Sequence, residues 1–153
     1  MTVPTAADMH ALGRRVGSHV RPGDLIVVDG PLGAGKTTFA QGVGAAMDVR
    51  GPVTSPTFVI ARVHPSQHAG PDLVHVDAYR LRSLTELDEL DLDTALGECV
   101  TVVEWGHGMV EVLSDERLEL VIARSDNESV EERTVEFLAV GERWLAVMPG
   151  LVS

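Results

Sequence analysis

Cysteine, lysine and aromatic side chains are all scarce in this chain, and each scarcity narrows what it can be. A single cysteine, Cys99, excludes an internal disulfide framework and a cysteine-built metal site, so a reducing cytoplasm is the simplest compartment. Cys99 itself reads as a small buried side chain rather than a nucleophile. Aromatic residues make up only 4% of a chain that is 44% hydrophobic. The core must therefore be filled by Val, Leu, Ala and Ile, as in helices packed on a mostly parallel sheet. No apolar run approaches the roughly 18 residues of a membrane span. The opening MTVPTAADMH lacks the basic-then-apolar pattern of a signal peptide.

Positive charge is short as well. Twelve basic residues stand against 23 acidic ones, a net of −11. The basic residues are scattered, whereas gripping a nucleic-acid backbone unaided takes clustered cations that displace counterions. The only lysine is Lys36, and its setting is the most informative feature of the chain.

The 153 residues fit one domain of ordinary size, and no repeat, low-complexity tract or long linker divides them. Thr5 is placed to cap a helix carrying Met9, Leu12, Val16 and Val20, ended by Pro22-Gly23. Residues 25–28, Leu-Ile-Val-Val, read as a strand buried on both faces. A glycine-rich turn follows, and then a helix over 36–47. Further strands are expected at 57–63, 73–77 and 100–104, with an exposed loop at 64–71 and an acidic helix over 83–96. Residues 118–123 and 134–140 alternate more and suit strands nearer an edge, joined by a polar acidic loop at 125–132. The pattern predicts an α/β fold of P-loop NTPase type: a mostly parallel central sheet flanked by helices, with an antiparallel C-terminal extension.

Gly30-Pro31-Leu32-Gly33-Ala34-Gly35-Lys36-Thr37 fits the phosphate-binding pattern G-x-x-x-x-G-K-[ST]. Glycines let the backbone curl so that successive N–H groups face phosphate oxygens. The following helix offers its N-terminal donors and positive dipole end to the same anion. Lys36 would neutralise the β- and γ-phosphates, and the Thr37 hydroxyl would ligate Mg²⁺. Such an ion also takes one or two carboxylates. Asp77 and Glu104 each end an apolar strand, at the edge of a parallel sheet where ligands gather. Capping a helix or pairing with an arginine is the alternative for either acid.

With this motif stand Ser55-Pro56-Thr57, then His75-Val76-Asp77-Ala78-Tyr79-Arg80-Leu81, then Val103-Glu104-Trp105. In that order and spacing they resemble the bacterial TsaE family, the ATPase of tRNA threonylcarbamoyladenosine biosynthesis. The resemblance runs from about Ala6 to about Val140. It implies partners, TsaB and TsaD, which install the threonylcarbamoyl group on the adenosine beside the anticodon of ANN-decoding tRNAs. The chain would meet tRNA only through that complex. By the same resemblance Leu32, Gly33, Ala34, Gly35, Lys36, Thr37 and Thr38 would hold ATP, and Thr37 and Glu104 would ligate Mg²⁺. Lys36, Asp77 and Glu104 would be the catalytic set, with Asp77 orienting the metal's water shell or the attacking water. Ser55 and Thr57 would belong to a segment that senses the nucleotide. Trp105 and Arg133 would touch it, and either Ala6 or Met9 would lie at the adenine. The chain departs from the family at Pro31 (usually an acid), Ala78 (usually Leu) and Gly106 (usually Pro), none of which removes a ligand.

Several residues stay open on sequence alone. His75 shares a strand face with Asp77 and is either a buried hydrogen-bonded side chain or a catalytic one. Trp105, continuing the strand, would point away from Glu104, so a core role competes with a site role. His64 and His68 are separated by Pro65 and read as part of a solvated loop rather than a metal site. Two other functions compete: a small-molecule phosphotransferase, against which the 64–71 segment offers no arginine-bearing lid, and a non-hydrolysing nucleotide switch.

Overall fold

The computed structural model describes residues 1–54, 61–80, 96–105, 108, 113–127 and 129–153. The expected acidic helix over 83–96, the Ser55 and Thr57 segment and Gly106 lie outside the described residues, apart from Leu96, the last helical residue before Gly97.

Among the described residues seven strands form one sheet in the order β1-β7-β6-β2-β5-β4-β3. They are β1 (Thr2–Val3), β2 (Leu25–Asp29), β3 (Ala61–His64), β4 (Leu73–Asp77), β5 (Val100–Glu104), β6 (Arg117–Arg124) and β7 (Arg133–Val140). The four middle strands, β6-β2-β5-β4, run parallel. Antiparallel strands extend both sides: β7 and β1 beyond β6, and β3 beyond β4. The expected antiparallel C-terminal extension is present, but "mostly parallel" describes only the middle of the sheet.

Three helices are described: α1 (Ala6–Gly17), α2 (Lys36–Met47) and α3 (Glu142–Val152). Thr5 caps α1 through a reciprocal pair in which Thr5 Oγ1 accepts from the Asp8 N–H and Asp8 accepts from the Thr5 N–H. α1 stops at Gly17, five residues before Pro22, because Ser18 Oγ and His19 Nδ1 both turn back onto the Arg15 carbonyl. Val20 still packs on the core from beyond the helix end.

Strand alternation sorts the buried residues into two faces. Ile26, Val28, Leu73, Val100, Val102, Leu118, Leu120 and Ile122 meet Met9, Leu12 and Val16 of α1, Phe39, Ala40 and Val43 of α2, and Trp144 and Leu151 of α3. Leu25, Val27, Val74, Val76 and Val103 pack on the other face with Ala78 and Leu96, and half-buried Cys99 borders that cluster. Helices α1 and α2 touch backbone to backbone at Gly13 and Gly42. A Cβ on Gly42 would lie 2.1 Å from the His10 carbonyl oxygen, and one on Gly13 2.1 Å from that of Phe39. Only glycine permits this approach, and it seats α2 firmly over the ends of β4 and β5.

One expectation about the 64–71 loop changes. Residues 57–60 of the expected 57–63 strand lie outside the described residues, and β3 includes His64, which is buried rather than looped out. Burial, with His75 and Arg62 nearby, pushes the His64 imidazole pKa below its ordinary value, against a hydrogen bond with the Arg50 backbone that raises it. His68 is exposed and pairs with Asp48.

Candidate functional site

The turn between β2 and α2 sets the geometry. Gly33 and Gly35 take left-handed φ values of 75° and 106°, which bring the chain sharply into α2 with no side chain capping it. The first N–H groups of α2 lack intrahelical partners by construction, so the helix presents donors and a positive dipole end at the C-terminal edge of the parallel strands.

Lys36 begins α2 and is only 6% exposed. Its ammonium donates to the Gly30 and Pro31 carbonyls at 2.7 and 2.9 Å and lies 3.8 Å from the centre of the Trp105 ring. Burial pushes its pKa down, while Glu104, Asp29 and Asp77 pull it up. Thr37, one residue on, donates to Glu104 Oε1 at 3.1 Å. Glu104 in turn receives His75 Nε2 on Oε2 at 2.7 Å. Asp77 stands directly opposite Glu104 in the β4–β5 register and accepts the Tyr79 N–H. Two like charges facing across strands repel, and burial of Glu104 deepens the cost. Among the described residues no three His, Cys, Asp or Glu side chains gather as an all-protein metal cage. Carboxylates ending neighbouring strands, beside a hydroxyl and a phosphate-type cradle, suit instead a small hard cation that keeps water and phosphate oxygens in its shell.

These groups line one cavity of about 560 Å³, bounded by Leu32, Gly33, Gly35, Lys36, Thr37 and Thr38 on the α2 side and by Asp77, Tyr79, Glu104 and Trp105 on the other. A smaller hollow of about 150 Å³ shares Gly33, Gly35 and Thr38 with it and adds Thr5, Ala6, Met9, Ala34, Glu131 and Arg133. Both N-terminal candidates, Ala6 and Met9, line this hollow. Arg133 reaches it by donating to carbonyls of the 130–132 loop and, at 3.5 Å, to Gly33.

Trp105 is placed differently from its expected strand position. β5 ends at Glu104, and Trp105 turns to a left-handed φ of 62° while its N–H bonds the Val28 carbonyl. That turn swings the indole into the cavity, where it meets Tyr79 with ring centres 5.0 Å apart. Of the sequence-derived candidates, Leu32, Gly33, Gly35, Lys36, Thr37, Thr38, Asp77, Glu104 and Trp105 come together. Ala34 and Arg133 border the adjoining hollow, and Pro31 supplies a carbonyl to Lys36. Ala78 is buried on the far face of the sheet.

Three residues escaped the sequence reading. Tyr79, 72% exposed, flanks the Trp105 ring; its place beside Asp77 was the available signal. Asp29 closes β2 just before the glycine-rich turn and acts on Lys36. Arg124, opposite Arg133 in the β6–β7 register, donates to the Leu32 carbonyl at 3.1 Å. Nothing in its local sequence pointed there.

Fold and site together define an α/β protein with a glycine-rich turn into a helix N-terminus and paired carboxylates at the C-terminal edge of its parallel strands. The family model for "Threonylcarbamoyl adenosine biosynthesis protein TsaE" matches residues 3–135. The chain is 55% identical over 138 residues to the tRNA threonylcarbamoyladenosine biosynthesis protein TsaE of Streptomyces coelicolor, covering 89% of this chain and 93% of that one. It is 37% identical over 135 residues to the protein of the same name from Bacillus subtilis, covering 88% and 81%. The crystal structure of Bacillus subtilis YdiB superposes with a TM-score of 0.76 at 30% identity, covering 99% of this chain and 91% of that one. The chain belongs to the TsaE family, the biosynthesis of threonylcarbamoyladenosine in tRNA.

Proposed function

We propose that this chain is a one-domain, P-loop NTPase-like protein that binds ATP with Mg²⁺ and hydrolyses it in the service of tRNA threonylcarbamoylation, acting in the cytoplasm with TsaB and TsaD. The observation that carries the reading is the hydrogen bond from Thr37 to Glu104 beside the buried Lys36, within one cavity. Family membership supplies the pathway; the partners and the ATPase step are the proposal's own. No helix among the described residues is long and apolar enough to cross a membrane.

In this reading the backbone of residues 32–37 and the α2 N-terminus cradle the phosphates. Lys36 exchanges its two backbone carbonyl contacts for phosphate oxygens of higher charge. Thr37 and Glu104 would hold Mg²⁺, which supplies neutralisation of charge growing on the phosphoryl oxygens. Asp77, across from Glu104, is placed to orient a water. Trp105 and Tyr79 would form an aromatic wall against the nucleotide. The hollow of Thr5, Ala6, Met9 and Arg133 would take the base. Phosphoryl transfer also needs cations on the transferring group, and an arginine supplied to such a site contributes about 10³–10⁵ in rate. Among the described residues the arginines at the site, Arg124 and Arg133, bond backbone carbonyls, so turnover by the isolated chain is expected to be slow and raised by partners.

Single-turnover assays with labelled ATP test the reading. Phosphate release that requires Mg²⁺ is the expected result. Nucleotide binding without phosphate release would make the chain an assembly switch, and a phosphorylated small molecule would make it a kinase.

A further inference from the structure

We propose that His75 is a positioning residue that fixes the Glu104 carboxylate for its divalent cation, an inference that rests on the metal reading of the site given above. β4 and β5 run parallel with His75 opposite Val102, so Glu104 lies one alternation further along on the same face. The His75 side chain is fully buried, and its Nε2 lies 2.7 Å from Glu104 Oε2, while the other carboxylate oxygen takes the Thr37 hydroxyl. Glu104 is therefore held from two elements at once, α2 and β4, and its plane is set by both.

An ionised carboxylate only accepts hydrogen bonds, so Nε2 carries the proton. His75 Nδ1 is buried and has no hydrogen-bond partner among the described residues. Leu73 and Val102, buried beside it on the same face, show that the position suits an aliphatic side chain. A histidine there leaves one polar atom unsatisfied, a cost that a leucine would avoid. What the imidazole provides in return is a donor aimed at one oxygen of Glu104. Groups that hold a ligand's orientation in this way commonly change metal affinity by about 10–100-fold when removed.

The test uses the full chain, ADP as the nucleotide and Mn²⁺ as the spectroscopic probe, so that no turnover is involved. His75→Leu is expected to lower Mn²⁺ affinity in the ADP complex about tenfold or more, with ADP affinity in EDTA unchanged. His75→Gln, whose amide N–H can occupy the place of Nε2–H, is expected to recover most of the loss. Wild-type Mn²⁺ affinity in His75→Leu, an equal loss in His75→Gln, or a parallel fall in metal-free ADP affinity would each overturn the assignment. Should His75→Leu not fold, the imidazole ¹⁵N resonances of the wild-type chain decide: His75 Nε2 must shift when Mg²⁺ joins the ADP complex, and an unmoved resonance overturns it. Failure of the parent reading looks different, since wild-type protein would then bind ADP equally with and without metal.

Discussion

Lys36, Glu104 and Trp105 show how much of the site a single residue's context reveals. The place of Lys36 in the cavity was legible because spacing fixes it: a glycine-rich turn after a buried strand puts the lysine at the start of α2. Asp77 and Glu104 were legible because each ends an apolar run at the same edge of a parallel sheet. Strand alternation left Trp105 open and only the family resemblance put it at the site, since β5 ends at Glu104 and a left-handed φ of 62° on a bulky residue has no local sequence signal. His64 was misplaced because Pro65 reads as a loop marker, while burial beneath the β4 edge is decided by tertiary packing. Lys36→Ala is expected to weaken ATP binding about 10- to 100-fold, the range of charge-assisted hydrogen bonds to phosphate, with the thermal midpoint little changed; calorimetric titration beside a melting curve checks both. Trp105, lying over Lys36, should report nucleotide by fluorescence, whereas Trp144 is wholly buried in the α3 contact. The signal should vanish in Trp105→Phe and persist in Trp144→Phe, and the reverse pattern would contradict the placement.

The elements divide by how much local pattern they carry. β2, α2, β4 and β5 have motifs or continuous apolar runs and appear where the pattern puts them, and α1 starts at its cap but stops at Gly17, before the expected end. β1 has only two residues and is defined by pairing with Thr134 and Arg133, so no periodicity announces it. α3 carries Pro149 within it and was not anticipated, yet its first residues bury Trp144 and send Arg143 back to Asp24 at 3.0 Å. That ion pair ties α3 to the entry of β2, with Arg143 also bonding the His19 carbonyl. Burial, partly offset by the Arg21 N–H and the Arg143 guanidinium, holds the Asp24 carboxyl above its ordinary value. Asp24 then binds its proton more tightly folded than unfolded. Its ionisation costs stability, a cost absent below the unfolded pKa and complete above the folded one. Arg143→Met removes the offset and is expected to lose about 3–5 kcal/mol near pH 7, the range for breaking a buried pair. The gap to wild type should narrow as pH falls through the carboxylate range, measured by denaturant titration near pH 7 and near pH 4. A loss equal at both values would show that the charge of Asp24 is not what Arg143 compensates.

At the scale of the whole molecule, α1 and α2 lock through glycine, α2 lies on the face of β2, β4 and β5 that carries His75, Asp77 and Glu104, and the cavity opens at that edge. The sheet's antiparallel margins, β3 on one side and β7 with β1 on the other, were only half legible, because an edge strand's direction is set by its neighbour rather than by its own sequence. In the proposed function, ATP hydrolysis at Lys36, Asp77 and Glu104 serves tRNA modification. Reconstitution with TsaB, TsaD, tRNA and a threonylcarbamoyl donor tests it most directly, with phosphate release and modified adenosine followed together. The wild-type chain with Mg²⁺ and ATP is expected to sustain repeated modification and to release phosphate faster than it does alone, and Lys36→Ala is expected to support neither. Full modification with Lys36→Ala, or with no phosphate released, would contradict it.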